Sequence, residues 1–145
     1  GAVEVARKRG VSDVRLLALE DVDASLGHFD TVVMYGNNFG LFGSRAKARR
    51  MLRRLRPLAG RIVACSNNPY ATKDPAHLAY QERNRARGRM SGQLRVRIRF
   101  RTLADPWFDY LLVSPDEMAE IVDGTGWEVH HLVQDEGSSY VAVLD

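Results

Sequence analysis

Two short apolar runs flanking one amphipathic helix constrain this chain more than anything else in it. The first, Thr31 to Tyr35 ("TVVMY"), is largely β-branched and uninterrupted, as expected of a strand covered on both faces. Between Arg45 and Leu58 the apolar residues Ala48, Met51, Leu52 and Leu55 recur at helical spacing among arginines. Ser44 is placed to cap that helix, and Pro57 with Gly60 closes it. Ile62 to Cys65 is the second short run. Strand, helix and strand with short connections make a βαβ unit, which implies a parallel pair joined by a right-handed crossover. An α/β domain is therefore expected.

Other segments fill in around this unit. Ala2 to Arg9 reads as the end of a helix stopped by Gly10, and Val14 to Leu19 ("VRLLAL") as a further strand. Asn67 to Gly92 contains two prolines, a short helix and a glycine-bearing turn. Leu94 to Phe100 ("LRVRIRF") alternates with period two, so it predicts a half-exposed strand, with Phe108 to Val113 as its antiparallel partner. Ser114, Pro115 and Glu117 have the spacing of a capping box at a helix start. Trp127 to Val133 and Tyr140 to Leu144 predict a closing hairpin across Glu136-Gly137-Ser138.

Composition narrows the classes. A chain of 145 residues, 45% hydrophobic and 27% charged, has the balance of one globular domain rather than of a disordered or fibrous one. No apolar run reaches the length of a membrane span and no secretory signal opens the sequence, so no membrane partner is expected. Cys65 is the single cysteine, which excludes an internal disulfide and points to a reducing compartment, the cytoplasm by default. The net charge of +3 is small, but arginines cluster from Arg45 to Arg56 and from Arg83 to Arg101.

The order of these segments resembles the second half of class I S-adenosylmethionine-dependent methyltransferases. "FDTVVMYGNNFGLFGS" begins with the acidic-aromatic pair, Phe29 and Asp30, that leads into that family's fourth strand. "LRRLRPLAGRIV" takes the place of its Leu-Arg-Pro-Gly-like turn into the fifth strand. "SPDEMAEIVDGTGWEV" matches the helix that leads into its last two antiparallel strands. The resemblance spans Ala2 to Leu144 and implies a Rossmann-like, mostly parallel sheet with a terminal antiparallel hairpin. It also implies S-adenosylmethionine as cofactor and methyl transfer to a small-molecule acceptor. The family's glycine-rich turn after the first strand, and the acidic residue that takes the ribose hydroxyls, have no counterpart here. Residues 1–145 are accordingly expected to be an incomplete methyltransferase domain whose N-terminal part is absent, with an insertion at about 67–106.

What the resemblance implies can be carried over residue by residue. Tyr35, Gly36, Asn37 and Asn38 fall at the carboxyl end of the fourth strand, where ligands sit in open parallel sheets. Glycine lets backbone approach a ligand, and asparagine offers donors and acceptors to a zwitterionic methionine group. The plain alternative is a surface turn, for which Asn and Gly are the commonest residues. Leu19, Glu20 and Asp21 fall where the family meets adenine, with Glu20 or Asp21 accepting from the exocyclic amine, or else as solvated charges at a strand end. "SNNPY", Ser66 to Tyr70, is similar to the Asn-Pro-Pro-Tyr loop of amino-group methyltransferases, but it follows the fifth strand and has one proline. The amine-methylating reading is rejected, and Tyr70 is kept as a wall of the substrate pocket.

The remaining candidates are weaker. Arg95, Arg97, Arg99 and Arg101 share one face of the alternating strand, with only Phe100 close by and on the opposite face, so nucleic acid is not the expected partner. His28, His77, His130 and His131 show no metal-ligand spacing, and no metal is expected. No catalytic base stands out; Tyr35, Asn38, His77 and Tyr80 qualify by location alone. A homodimer is left open, as are a non-catalytic methyltransferase-like fragment or subunit and a nucleic-acid-binding module built on the arginine strand.

Overall fold

The computed structural model describes residues 1–134 and 136–145. A four-stranded sheet organises them in the spatial order β1, β2, β8, β7, where β1 is Phe29–Met34, β2 Ala59–Asn67, β7 Val129–Gln134 and β8 Ser139–Leu144. β1 and β2 run parallel in the register Val32 to Ile62, and α2 (Arg45–Leu55) forms the crossover between them. The βαβ unit is therefore present. β8 then pairs antiparallel with β2, and β7 antiparallel with β8, so the closing hairpin is present too.

Local chemistry sets the helix boundaries. The Ser44 hydroxyl accepts from the Lys47 amide and so satisfies one of the free donors at the start of α2. α4 (Pro115–Val122) opens with a complete capping box, in which the Ser114 hydroxyl accepts from the Glu117 amide and Glu117 accepts from the Ser114 amide. Both helices turn their apolar stripes onto the sheet. Met51, Leu52, Ile62, Met118, Ile121 and Leu144 are fully enclosed. Two amphipathic rings are buried with their polar ends satisfied: Trp127 Nε1 donates to the Leu52 carbonyl at 2.8 Å and the Tyr140 hydroxyl to the Val113 carbonyl at 2.9 Å. Burial pushes the Tyr140 phenol far above its ordinary value.

Three features differ from the sequence expectation. β1 has β2 as its one ladder partner among the described residues, and Phe29, Val33 and Tyr35 are exposed rather than covered on both faces. Val14 to Leu19 is no strand: the segment has no regular structure up to Ala18, then turns at Leu19–Asp21, and Leu16 is 93% exposed. An apolar run becomes a strand only beside another strand's free N–H and C=O groups, and nothing among the described residues offers them there. The arginine strand is broken. β3 (Gln93–Val96) pairs with β6 (Phe108–Leu111), and a separate ladder joins β4 (Arg99–Phe100) to β5 (Leu103–Ala104). Arg101 ends β4 in a left-handed conformation, φ 54°, which breaks the period-two alternation.

Between β2 and this arm, α3 (Pro75–Ala86) is longer than the short helix read from the sequence. Asp74 caps it by accepting from the Ala76 amide at 2.7 Å. α1 (Ala2–Lys8) buries no residue.

Candidate functional site at the carboxyl ends of the parallel strands

The parallel pair β1 and β2 ends in two loops of different construction. After β1 the chain turns through Gly36 and Asn37, both left-handed at φ 62° and 64°, and enters a tight turn over Asn38–Phe42. Asn is among the few non-glycine residues that adopt this conformation readily. Phe39 and Phe42 are fully buried and meet edge to face at 5.0 Å, which fastens the turn to the core. Gly40 lies under the Tyr110 ring, where an added Cβ would come within 2.6 Å of it. The Tyr110 hydroxyl in turn donates to the Asn37 carbonyl at 2.7 Å, and burial raises its pKa. Tyr110 was not singled out in the sequence. Alternation along Phe108, Tyr110 and Leu112 is the signal that would have found it, because it puts these side chains on one face.

This loop holds one unsatisfied polar atom. The Asn37 side-chain oxygen is enclosed and has no hydrogen-bond partner among the described residues. Buried polar atoms are normally paired, so an orphan at a strand's carboxyl end is a position for a ligand donor.

The Leu19–Asp21 turn is held by α2. The Arg54 guanidinium donates to the Glu20 carbonyl at 2.7 Å, and the Lys47 ammonium pairs with the Glu20 carboxylate, keeping it below the usual carboxylate range. Asp21 is exposed and has no ion pair among the described residues. The structure thus separates the two acidic candidates: one carboxylate is engaged and the other is free. No hydrogen bond or ion pair among the described residues links this turn to the Tyr35–Asn38 loop.

After β2 the chain opens. Asn67, Asn68 and Thr72 line a cavity of about 700 Å³ whose other walls are His77, Tyr80 and Arg83 of α3, together with Gly92, Leu112 and Ser138. α3 is fixed in place by buried amides. Gln81 Nε2 donates to the Pro69 carbonyl at 2.7 Å, and Asn84 Nδ2 to the Ser91 and Gln93 carbonyls at 3.1 and 2.8 Å. Gly92 is forced by contact, since an added Cβ would sit 2.2 Å from the Leu112 carbonyl oxygen. β6 therefore serves both loops, with Tyr110 over the first and the adjoining Leu112 in the wall of the second.

Tyr70 is not among the cavity's lining residues. Its hydroxyl donates to Glu117 at 2.7 Å, at the start of α4, and burial with that carboxylate raises its pKa. His77 and Tyr80 do line the cavity, whereas Tyr35 and Asn38 do not. A second cavity, about 620 Å³, lies by Arg56, Trp127 and Asp145, at the opposite end of the parallel strands.

The whole architecture has counterparts among solved structures. A SAM-dependent methyltransferase from Bacteroides fragilis, in complex with S-adenosyl-L-homocysteine, superposes with a TM-score of 0.77 at 22% identity, over 99% of this chain and 58% of that one. The CcbJ methyltransferase from Streptomyces caelestis gives 0.62 at 12% identity, over 98% and 69%. An S-adenosylmethionine-dependent methyltransferase from Clostridium acetobutylicum gives 0.62 at 5%, over 98% and 68%. This chain has the class I methyltransferase fold. It spans little more than half the length of the first of those proteins. No protein-family model and no curated protein matches its sequence.

Within the methyltransferase fold the arginine-rich arm borders the β2 cavity, with Leu94 in its wall and the Arg95 amide donating to the Tyr80 hydroxyl at 3.2 Å. Arg97 lies 4.9 Å over the Trp107 ring and Arg101 5.3 Å over Phe100, so two aromatic rings do meet these arginines, contrary to the sequence expectation. Trp107 follows the β4–β5 hairpin, whose turn at Arg101 and Thr102 reverses the chain and brings it there. Among the described residues no group of His, Cys, Asp or Glu is placed to hold a metal ion, and no helix is long and apolar enough to cross a membrane.

Proposed function

We propose that the protein containing this chain transfers a methyl group from S-adenosylmethionine to a small-molecule acceptor. The observation that carries the reading is the Asn37 turn: a left-handed, aromatic-anchored loop at the carboxyl end of β1, with an enclosed side-chain amide oxygen, Asn37 Oδ1, that lacks a donor among the described residues. A cofactor's ammonium group supplies such a donor, so the residues present fit this part of S-adenosylmethionine. The methyltransferase fold supports the same reading, and the Bacteroides fragilis neighbour was crystallised with S-adenosyl-L-homocysteine.

Tyr35, Gly36, Asn37 and Asn38 would hold the amino-acid portion, and Leu19 with Asp21 the adenine, Glu20 being paired with Lys47. Bound S-adenosylmethionine supplies an electrophilic methyl on a sulfonium, transferred in line to an acceptor lone pair as the carbon–sulfur bond breaks. Because positive charge disperses in that displacement, the chain's own task is to position the acceptor and exclude water. The β2 cavity is where this chain would position it, with Tyr70 bracing the cavity loop against α4. The protein's remaining residues would supply the glycine-rich turn and cover the bare edge of β1.

Calorimetry with S-adenosylhomocysteine tests the reading. The full-length protein is expected to bind it in the micromolar range and residues 1–145 alone weakly or not at all. No binding by the full-length protein overturns the function. Equally tight binding by residues 1–145 overturns the assignment of an incomplete site.

A further inference from the structure

The β2 cavity has a charge character that says what enters it. Among its described lining residues the charged or readily charged side chains are Arg83 and His77, and no carboxylate lines it. Two carboxylates on the flanking segments are engaged elsewhere, Asp74 by the Ala76 amide at 2.7 Å and Glu117 by Tyr70 at 2.7 Å and the Ser114 amide at 2.9 Å. The Arg83 guanidinium packs 5.2 Å over the Tyr80 ring and has no ion pair or hydrogen bond among the described residues. Stacking orders the planar fork while leaving its N–H edge for a two-oxygen acceptor. His77 is held at Nδ1 by Thr72 Oγ1 at 3.1 Å, which leaves Nε2 without a partner among the described residues. His77, Tyr80 and Arg83 recur at three-residue steps on α3, so they form one stripe along the cavity wall.

We infer that this cavity binds an oxyanion, a carboxylate or phosphate-type group on the molecule it receives, through Arg83 with His77 beside it. That this molecule is the methyl acceptor rests on the reading above, while the anion binding does not. A guanidinium without a counter-charge in a concave site attracts an anion, and it repels a substrate bearing an ammonium.

The test titrates the full-length protein with inorganic phosphate, and separately with acetate, against sodium chloride at matched ionic strength. Backbone amide shifts in the NMR spectrum report binding, and calorimetry with S-adenosylhomocysteine runs in parallel. Saturable shifts are expected at Asn68, His77 and Gly92 with phosphate, acetate or both, and not with chloride. R83Q should weaken that binding by about tenfold or more, R83K should recover part of it, and cofactor affinity should stay at the parent value. Shifts no larger than those in chloride, or equal binding by R83Q, would overturn the inference. Saturable anion binding in a protein that fails to bind S-adenosylhomocysteine would uphold the anion site and discard the methyl-transfer reading.

Discussion

The loop after β1 and the loop after β2 leave the same pair of parallel strands and are built on opposite plans. The first is locked from below by Phe39 and Phe42 and packed against Tyr110 at Gly40. The second encloses a cavity and presents side chains drawn from α3, β6 and the β8 approach. A loop anchored to the core suits a ligand that is always the same. A cavity walled by exchangeable side chains suits one that differs between proteins, because changing His77 or Arg83 disturbs no core contact. On the proposed reading the first loop would take the cofactor and the second the acceptor.

Removing the aromatic anchor should break this contrast most severely. Phe39→Ala deletes a fully buried ring and is expected to cost about 3–5 kcal/mol, read as a lower urea midpoint with unchanged slope. A loss below about 1 kcal/mol would mean that the loop can collapse onto the gap and is not rigid. Gly40→Ala is the next step down. Its methyl must displace the Tyr110 ring, at a cost of about 1–3 kcal/mol, and S-adenosylhomocysteine affinity should fall with the stability. Unaltered affinity would separate the loop from the cofactor.

Asn37→Gly sharpens the comparison without strain, because glycine keeps the left-handed backbone while deleting the orphaned oxygen. Thermal stability should hold, and S-adenosylhomocysteine should bind about 10-fold more weakly, the worth of one buried polar contact. Parent-like binding would make the turn structural only. Tyr70→Phe removes the hydroxyl that donates to Glu117 and should lower stability by about 1 kcal/mol or less, with cofactor affinity intact. A large loss of cofactor affinity there would show that the two loops are not independent.

The smallest effect is expected from changing Arg95, Arg97 and Arg99 together to glutamine. None of these three side chains lines the cavity, so the unfolding midpoint and cofactor affinity should barely move. A nucleic-acid complex of the parent that forms at low salt, fades as salt rises and is lost in this variant would give the arm a function of its own.

Much of this was legible in the sequence, for a physical reason. The βαβ unit, both serine caps, the α4 capping box and the closing hairpin are local: hydrophobic period and cap chemistry act within a few residues, so the string carries them. The glycines and asparagines after β1 marked the loop for the same reason. Where the reading failed, it lacked a neighbour. Val14 to Leu19 has strand composition but no adjacent edge among the described residues, and the arginine strand breaks between Val96 and Arg99, ahead of a left-handed Arg101 that period two does not foresee.

Only the tertiary structure decided which of these residues meet. Tyr110 reaches the Asn37 carbonyl from 73 positions away, and Tyr70 turns to Glu117 across 47. The β2 cavity exists because Gly92 lets its backbone close on Leu112, while buried Gln81 and Asn84 pin α3 to the far wall. Sequence determines local propensity, since it depends on near neighbours. Partners distant along the chain are chosen by packing, which pairs most buried donors with acceptors and so sets the His77, Tyr80 and Arg83 stripe of α3 against an open strand end.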